Sequence, residues 1–178
     1  MKPRIFTLLA IFTLTVFSCA QEPKKDPVTD SNYFLGKISK LADSLIKKAV
    51  RHPRRAAIMD FVNTNGKTSQ FGKYVTSKFT EISVEKNLFA TPSEGEVTKT
   101  LKLLNLIYNG SIDGASAKKL GEALNCDAII VGTISDLQKG SDVDLVLKII
   151  DSKTGNVVSA SSASFFRSKQ VSSMLDTF

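Results

Sequence analysis

Asp127-Ala128-Ile129-Ile130-Val131-Gly132-Thr133-Ile134 is apolar almost without a break. A run this short, rich in branched side chains, suits a strand covered on both faces better than a buried helix. Ala56-Ala57-Ile58-Met59-Asp60-Phe61-Val62 has the same character and is expected to pair beside it as the central strand. Strands buried on both faces need helices above and below, so the fold class is α/β. Downstream, Val143, Leu145, Leu147 and Ile149 alternate with Asp142, Asp144, Val146 and Lys148, the period of a strand with one apolar face. Asp151-Ser152-Lys153-Thr154-Gly155 is hairpin-loop chemistry. Residues 156–163 then return with only small or polar side chains after Val158, which predicts an edge strand.

Upstream of the first strand, Phe34, Ile38, Leu41, Leu45 and Ala49 form the apolar stripe of a helix that Asp30 or Ser31 caps and His52-Pro53 ends. Phe71, Tyr74, Val75, Phe79 and Ile82 mark a second helix, and Leu88-Phe89-Ala90 a short strand. Thr91-Pro92-Ser93-Glu94 reads as a capping box for a third helix with Val97, Leu101, Leu104 and Ile107 inward. After Asp113-Gly114 a fourth helix turns Ala117, Leu120, Ala123 and Leu124 inward. Gly121 inside it costs about 1 kcal/mol relative to Ala, which predicts close packing against a neighbouring backbone. The expected order is β-α-β-α-α-β-β-β after an N-terminal helix, giving a mixed sheet of about five strands with flanking helices.

With 178 residues, 42 % hydrophobic and 23 % charged, the composition is that of a globular chain, neither disordered nor polytopic. One His, no Trp and two Cys leave no material for a histidine-rich metal site or a disulfide scaffold. Lys2 and Arg4 precede an apolar run to Phe17, the layout of a secretory signal. As a helix, Ile5 to Ser18 would reach about 21 Å, short of a hydrocarbon core about 30 Å thick. The run ends Val16-Phe17-Ser18-Cys19, which resembles the bacterial lipobox and implies that Cys19 is lipidated and becomes the new N-terminus. Residues 1–18 are then a lipoprotein signal peptide, 19–30 a polar flexible tether holding two prolines, and 31–178 a single domain. The expected location is the cell envelope, lipid-anchored at the outer membrane through acylated Cys19. Without Lys2 and Arg4 the basic residues number 22 against 17 acidic ones, a mild excess of +5. With export, nucleic acid drops out as a partner.

Candidate chemistry is thin. His52 stands between Arg51 and Pro53 with no Ser or Cys beside it and reads as a surface residue. Asp60, at the end of a buried strand, occupies the place where an α/β enzyme puts a catalytic group, with Asp127 and Asp136 as possible neighbours; the plainer reading is that it caps the following loop. The strand, Asn65-Gly66-Lys67-Thr68 and the following helix resemble a phosphate-binding loop, but Phe61 stands where the cradle needs a glycine. Lys47, Lys48, Arg51, Arg54 and Arg55 cluster within nine residues and suit an acidic partner or anionic lipid. The edge at Ser159 and Ser161 offers small side chains beside which another strand can pair. Cys126 is expected to be a packed, unreactive thiol. Among these residues no nucleophile stands beside a base and no ligand set for a metal forms, so no catalytic residue, cofactor, metal or small-molecule substrate is expected.

Ile58-Met59-Asp60-Phe61-Val62, Leu103-Leu104-Asn105-Leu106 with Asn109-Gly110, and Ala117-Lys118-Lys119-Leu120-Gly121 occur in one order with two further stretches, Cys126-Asp127-Ala128-Ile129-Ile130-Val131-Gly132-Thr133-Ile134 and Ile149-Ile150-Asp151-Ser152-Lys153-Thr154-Gly155. In that order the chain resembles the FlgO-type family of bacterial lipoproteins, whose domain is similar to the periplasmic α/β domains of CsgG, LpoB and the N-terminal part of TolB. The resemblance implies a noncatalytic envelope lipoprotein that binds envelope or flagellar proteins as an assembly module, with a link to the flagellum or motility. The alternatives are an LpoB-like activator of a cell-wall synthase and, from another class, an envelope hydrolase using Asp60.

Overall fold

The computed structural model describes residues 31–137 and 142–176. Its elements are α1 (Ser31–Lys47), β1 (Ala56–Ile58), β2 (Val62–Asn63), α2 (Gln70–Glu85) and α3 (Glu94–Leu103), followed by α4 (Gly114–Leu124), β3 (Ala128–Asp136), β4 (Val143–Asp151), β5 (Val157–Phe165) and α5 (Lys169–Asp176). The class is the expected one, a mixed five-stranded sheet with helices on it and a helix before the first strand. The strand order is β1-β3-β4-β5, with β2 also on β3; β1 and β2 run parallel to β3, while β4 and β5 are antiparallel to their neighbours. Among the described residues no helix is long and apolar enough to cross a membrane.

Residues 56–62 depart from expectation twice. They are not the central strand, a place taken by β3, and they split into β1 and β2. The reason lies in Phe61. Its N–H donates to Thr76 Oγ1 on α2 at 2.9 Å, and its ring lies where a Cβ on Gly132 would come within 2.3 Å. Missing atoms at Gly132 and Gly72 let Phe61 sit between strand and helix, for a Cβ on Gly72 would stand 2.2 Å from the Phe61 carbonyl oxygen. The 88–90 stretch contributes a single bridge from Ala90 to Arg55, because the next residue of the same parity is Pro92, which has no N–H to donate.

Caps differ too. Ser93, not Thr91, caps α3, accepting from Glu96 N, and α1 ends at Lys47 rather than at His52. Ile107 faces solvent instead of the core, with 92 % exposure, because α3 has already ended at Leu103; Ala123 on α4 is exposed as well. Helix α5, with Val171 and Leu175 buried and Ser168 Oγ accepting from Val171 N, was outside the expected order.

The sheet separates two apolar layers. On one face α1, α2 and α5 cover Ile130, Ile134, Leu145, Leu147 and Ile149, with Phe34 stacked on Phe165 at 5.6 Å between ring centres. Phe34, Phe61, Phe71, Phe79 and Phe165 are fully buried, each contributing roughly 1.5–3 kcal/mol, which sets how α1 and α2 lie on the sheet. On the other face α3 and α4 pack over Ala57, Met59, Ile129, Val131 and Ile150. That layer stops short of β5, where Ala160, Ser162 and Ser164 are exposed.

Candidate functional site

The basic segment forms the turn between α1 and β1. Lys47, Lys48, Arg51 and Arg54 are exposed there, as is His52. The turn is held by Asp127, whose carboxylate accepts from the backbone N–H groups of Arg54 and Arg55 at 3.0 Å. Arg55 leaves the cluster: it is half-buried, its Nε donating to Leu124 O at 3.3 Å and its guanidinium lying 3.8 Å from Glu96. Arg51 also acts at a distance on Asp151. Burial pushes that carboxyl up, but hydrogen bonds from Thr154 and Lys153 together with the Arg51 charge hold it below the ordinary carboxylate range.

Strand β5 is an edge, as expected, but its serines do not face out. Ser159 Oγ donates to Leu45 O at 2.6 Å, and Ser161 Oγ donates to Ser44 Oγ at 2.9 Å; both residues are buried. Their small size lets α1 lie close on the strand, so Ser159 and Ser161 are helix-packing residues rather than exposed contact residues. The outward backbone belongs to the alternate set. Ser164 O accepts from Lys37 Nζ at 2.5 Å, and Phe166 N donates to Tyr33 Oη at 2.8 Å, so even-numbered residues turn N–H and C=O to the free edge. Ser159, of the other parity, points its N–H at β4. Between α1 and this edge runs a groove of about 360 Å³ whose lining includes Lys37, Lys40, Ser44, Lys48 and Ser162.

Asp60 lies in a second cavity, about 480 Å³, between α2 and the start of α3. Burial raises its pKa, the Glu94 carboxylate adds to the rise, and Lys73 opposes it. Asp127 and Asp136 do not join it. The pairings Ile58↔Ile130 and Val62↔Thr133 place Asp60 midway along β3, about 15 Å from either residue at about 3.3 Å per residue. Asp136 forms an ion pair with Arg167. Four hydroxyls line the cavity, and three are committed to backbone: Thr76 Oγ1 donates to Gly72 O, Thr80 Oγ1 to Thr76 O and Thr91 Oγ1 to Pro92 O, while the fourth belongs to Ser77. The cavity can hold a cationic group against Asp60 and Glu94, but these three hydroxyls are not poised as nucleophiles. Sequence reasoning missed Lys73, Glu94 and Tyr108, the last with its hydroxyl buried beside Asp60 and near the Gly132 backbone. Cys126 is buried, and burial raises its thiol pKa. Cys19 lies outside the described residues.

The chain is similar to the LpoB C-terminal domain from Escherichia coli, with a TM-score of 0.61 at 12 % identity over 75 % of this chain and 98 % of that one. It is also similar to E. coli LpoB solved by NMR, with a TM-score of 0.60 at 11 % identity over 94 % of this chain and 84 % of that one. Lipoprotein GNA1162 from Neisseria meningitidis gives 0.50 at 17 % identity over 66 % and 84 %. At such identities the likeness defines a shared fold, that of the LpoB C-terminal domain. No protein-family model and no curated protein matches the chain, so the FlgO-type assignment rests on the motif resemblance alone.

Proposed function

We propose that this chain is a lipid-anchored envelope protein that works by binding another envelope protein rather than by catalysis. The observation that carries the reading is the LpoB-like fold, which spans 98 % of the LpoB domain, in a chain whose leader ends Val16-Phe17-Ser18-Cys19. Acyl chains on Cys19, at about 0.8 kcal/mol per buried methylene, would hold the domain durably at the outer membrane. The tether would enter at Ser31, whereas the basic turn begins at Lys47, about 25 Å away along α1. The start of α1, where the tether would join, and the basic turn are thus at opposite ends of one helix, which favours a protein partner over the anchoring bilayer as the target of the turn.

Two finer readings share this class. An activator of a cell-wall synthase is the reading drawn from the LpoB resemblance, and the flagellar role is the one drawn from the FlgO resemblance. A hydrolase centred on Asp60 is the weaker reading, since three of the four hydroxyls in its cavity donate to backbone carbonyls. Metabolic labelling with an alkyne fatty acid tests the anchor: wild type is labelled, and Cys19→Ala is unlabelled and released from membranes or left unprocessed. Crosslinking in intact cells followed by mass spectrometry tests the binding role and separates a synthase from flagellar components. Recovery of no envelope partner by the anchored protein overturns the reading, and a hydrolase activity lost in Asp60→Asn would replace it.

A further inference from the structure

The middle of the β5 edge is open while both its ends are closed. Val158 O accepts from Val50 N at 3.4 Å, and Ser164 O from Lys37 Nζ. Between them Ala160 and Ser162 are exposed, and each presents one N–H and one C=O outward with no partner among the described residues. An unpaired strand of this kind is a template for another strand. Beside it α1 aligns Lys37, Lys40 and Lys48 along the groove. Lys37 is engaged with Ser164 O and the Tyr33 ring, but Lys40 and Lys48 are exposed and have no ion-pair partner among the described residues. The nearby carboxylates are turned elsewhere: Asp43 pairs with Lys86, just past the end of α2, and Asp144 accepts from Ser164 Oγ on the opposite face of the sheet.

We infer that this groove takes an extended acidic peptide segment of the partner, which adds to the sheet as a strand beside β5. The inference rests on the binding role proposed above and names the chemistry of its partner. Main-chain groups of Ala160 and Ser162 supply the pairing, and the two free lysines select carboxylates on the segment's side chains. The closed ends limit the paired stretch to the span from Val158 to Ser164, about 20 Å at about 3.3 Å per residue. A second copy fits the site poorly, because β5 against β5 brings two lysine rows together.

The test uses the mature protein in detergent and three eight-residue peptides, alternating Val with Glu, with Gln or with Lys. Amide hydrogen exchange is read at Ala160 and Ser162. The Glu peptide is expected to slow exchange at both amides about tenfold, with little effect from the Gln peptide and none from the Lys peptide. Lys40→Glu with Lys48→Glu, two exposed positions, is expected to reverse the preference without changing the circular dichroism. Ser162→Pro removes an outward donor that no ladder bond uses, so the protein folds and protection at Ala160 is lost. Equal protection by all three peptides would overturn the proposal, as would protection that appears with protein concentration alone or with anionic vesicles in place of peptide. Failure here with envelope crosslinks elsewhere on the surface leaves the binding role standing; failure to crosslink any envelope partner removes that role itself.

Discussion

Gly121 shows how one absent carbon joins α4 to the β4–β5 turn. A Cβ there would stand 2.3 Å from Ser152 Cβ and 2.9 Å from Cys126 O, and Ser152 cannot yield because its Oγ donates to Cys126 O at 2.6 Å. Helix propensity favours Ala by about 1 kcal/mol, whereas overpacking costs about 1–3 kcal/mol, so the clash wins. Gly121→Ala is therefore expected to lower stability by up to about 2 kcal/mol in urea unfolding. Gly36→Ala on α1, where nothing lies within 4 Å, is expected to raise it by up to about 1 kcal/mol. The expected close packing at Gly121 is present, against a side chain as well as a backbone carbonyl. Asp60 gives a pH signature of definite sign. Its folded pKa is raised by burial and by Glu94, so the folded state holds the proton more tightly than the unfolded one. That contribution is present below the ordinary carboxylate pKa and is lost as pH rises through the raised value. Asp60→Asn should therefore unfold at a higher temperature than wild type at pH 7, with the gap closing on acidification; a gap that widens toward acid pH would contradict the assignment.

The interruption between β1 and β2 depends on one hydroxyl of α2. Thr76 Oγ1 accepts from Phe61 N, and Phe61 is fully buried, so Thr76→Val leaves that N–H without a partner. A loss of about 1–3 kcal/mol is expected, together with faster amide exchange at Phe61; unchanged exchange there would show that another acceptor takes over. This contact also marks the limit of sequence reading. Apolar runs and the period of two located the long strands, and helical spacing located α1, α2 and α4, because these signals are local to each element. The split of residues 56–62 was not legible, since the competing acceptor comes from a helix fifteen positions later. Nor was the burial of Ser159 and Ser161: a small polar side chain suits solvent and the underside of a helix equally well, and only the packing of α1 decides. The Asp60 cavity was legible as a strand-end carboxylate but not in its walls, because Lys73 and Glu94 come from two separate helices.

Charge is distributed unevenly over the molecule. Asp43, Glu81, Glu96 and Asp136 are each paired with a basic side chain. The exposed Lys47, Lys48, Arg51 and Arg54 instead gather where α1 turns into β1, beside the groove that Lys40 and Lys48 line. In the proposed binding role such a patch would act on approach more than on final affinity, steering an acidic partner toward the end of α1 opposite the proposed tether. Steering fades with salt, since the screening length falls from about 10 Å at 0.1 M to about 3 Å at 1 M. Arg51→Glu with Arg54→Glu changes exposed side chains, so the fold should survive by circular dichroism. Its association rate with the crosslinked partner is expected to fall about tenfold or more at 0.05 M salt and to approach wild type at 1 M, with dissociation little changed. Stopped-flow mixing across that salt range checks this. An association rate equal to wild type at low salt would show that the basic turn takes no part in the encounter, and a deficit independent of salt would mean that a short-range contact, not steering, had been lost.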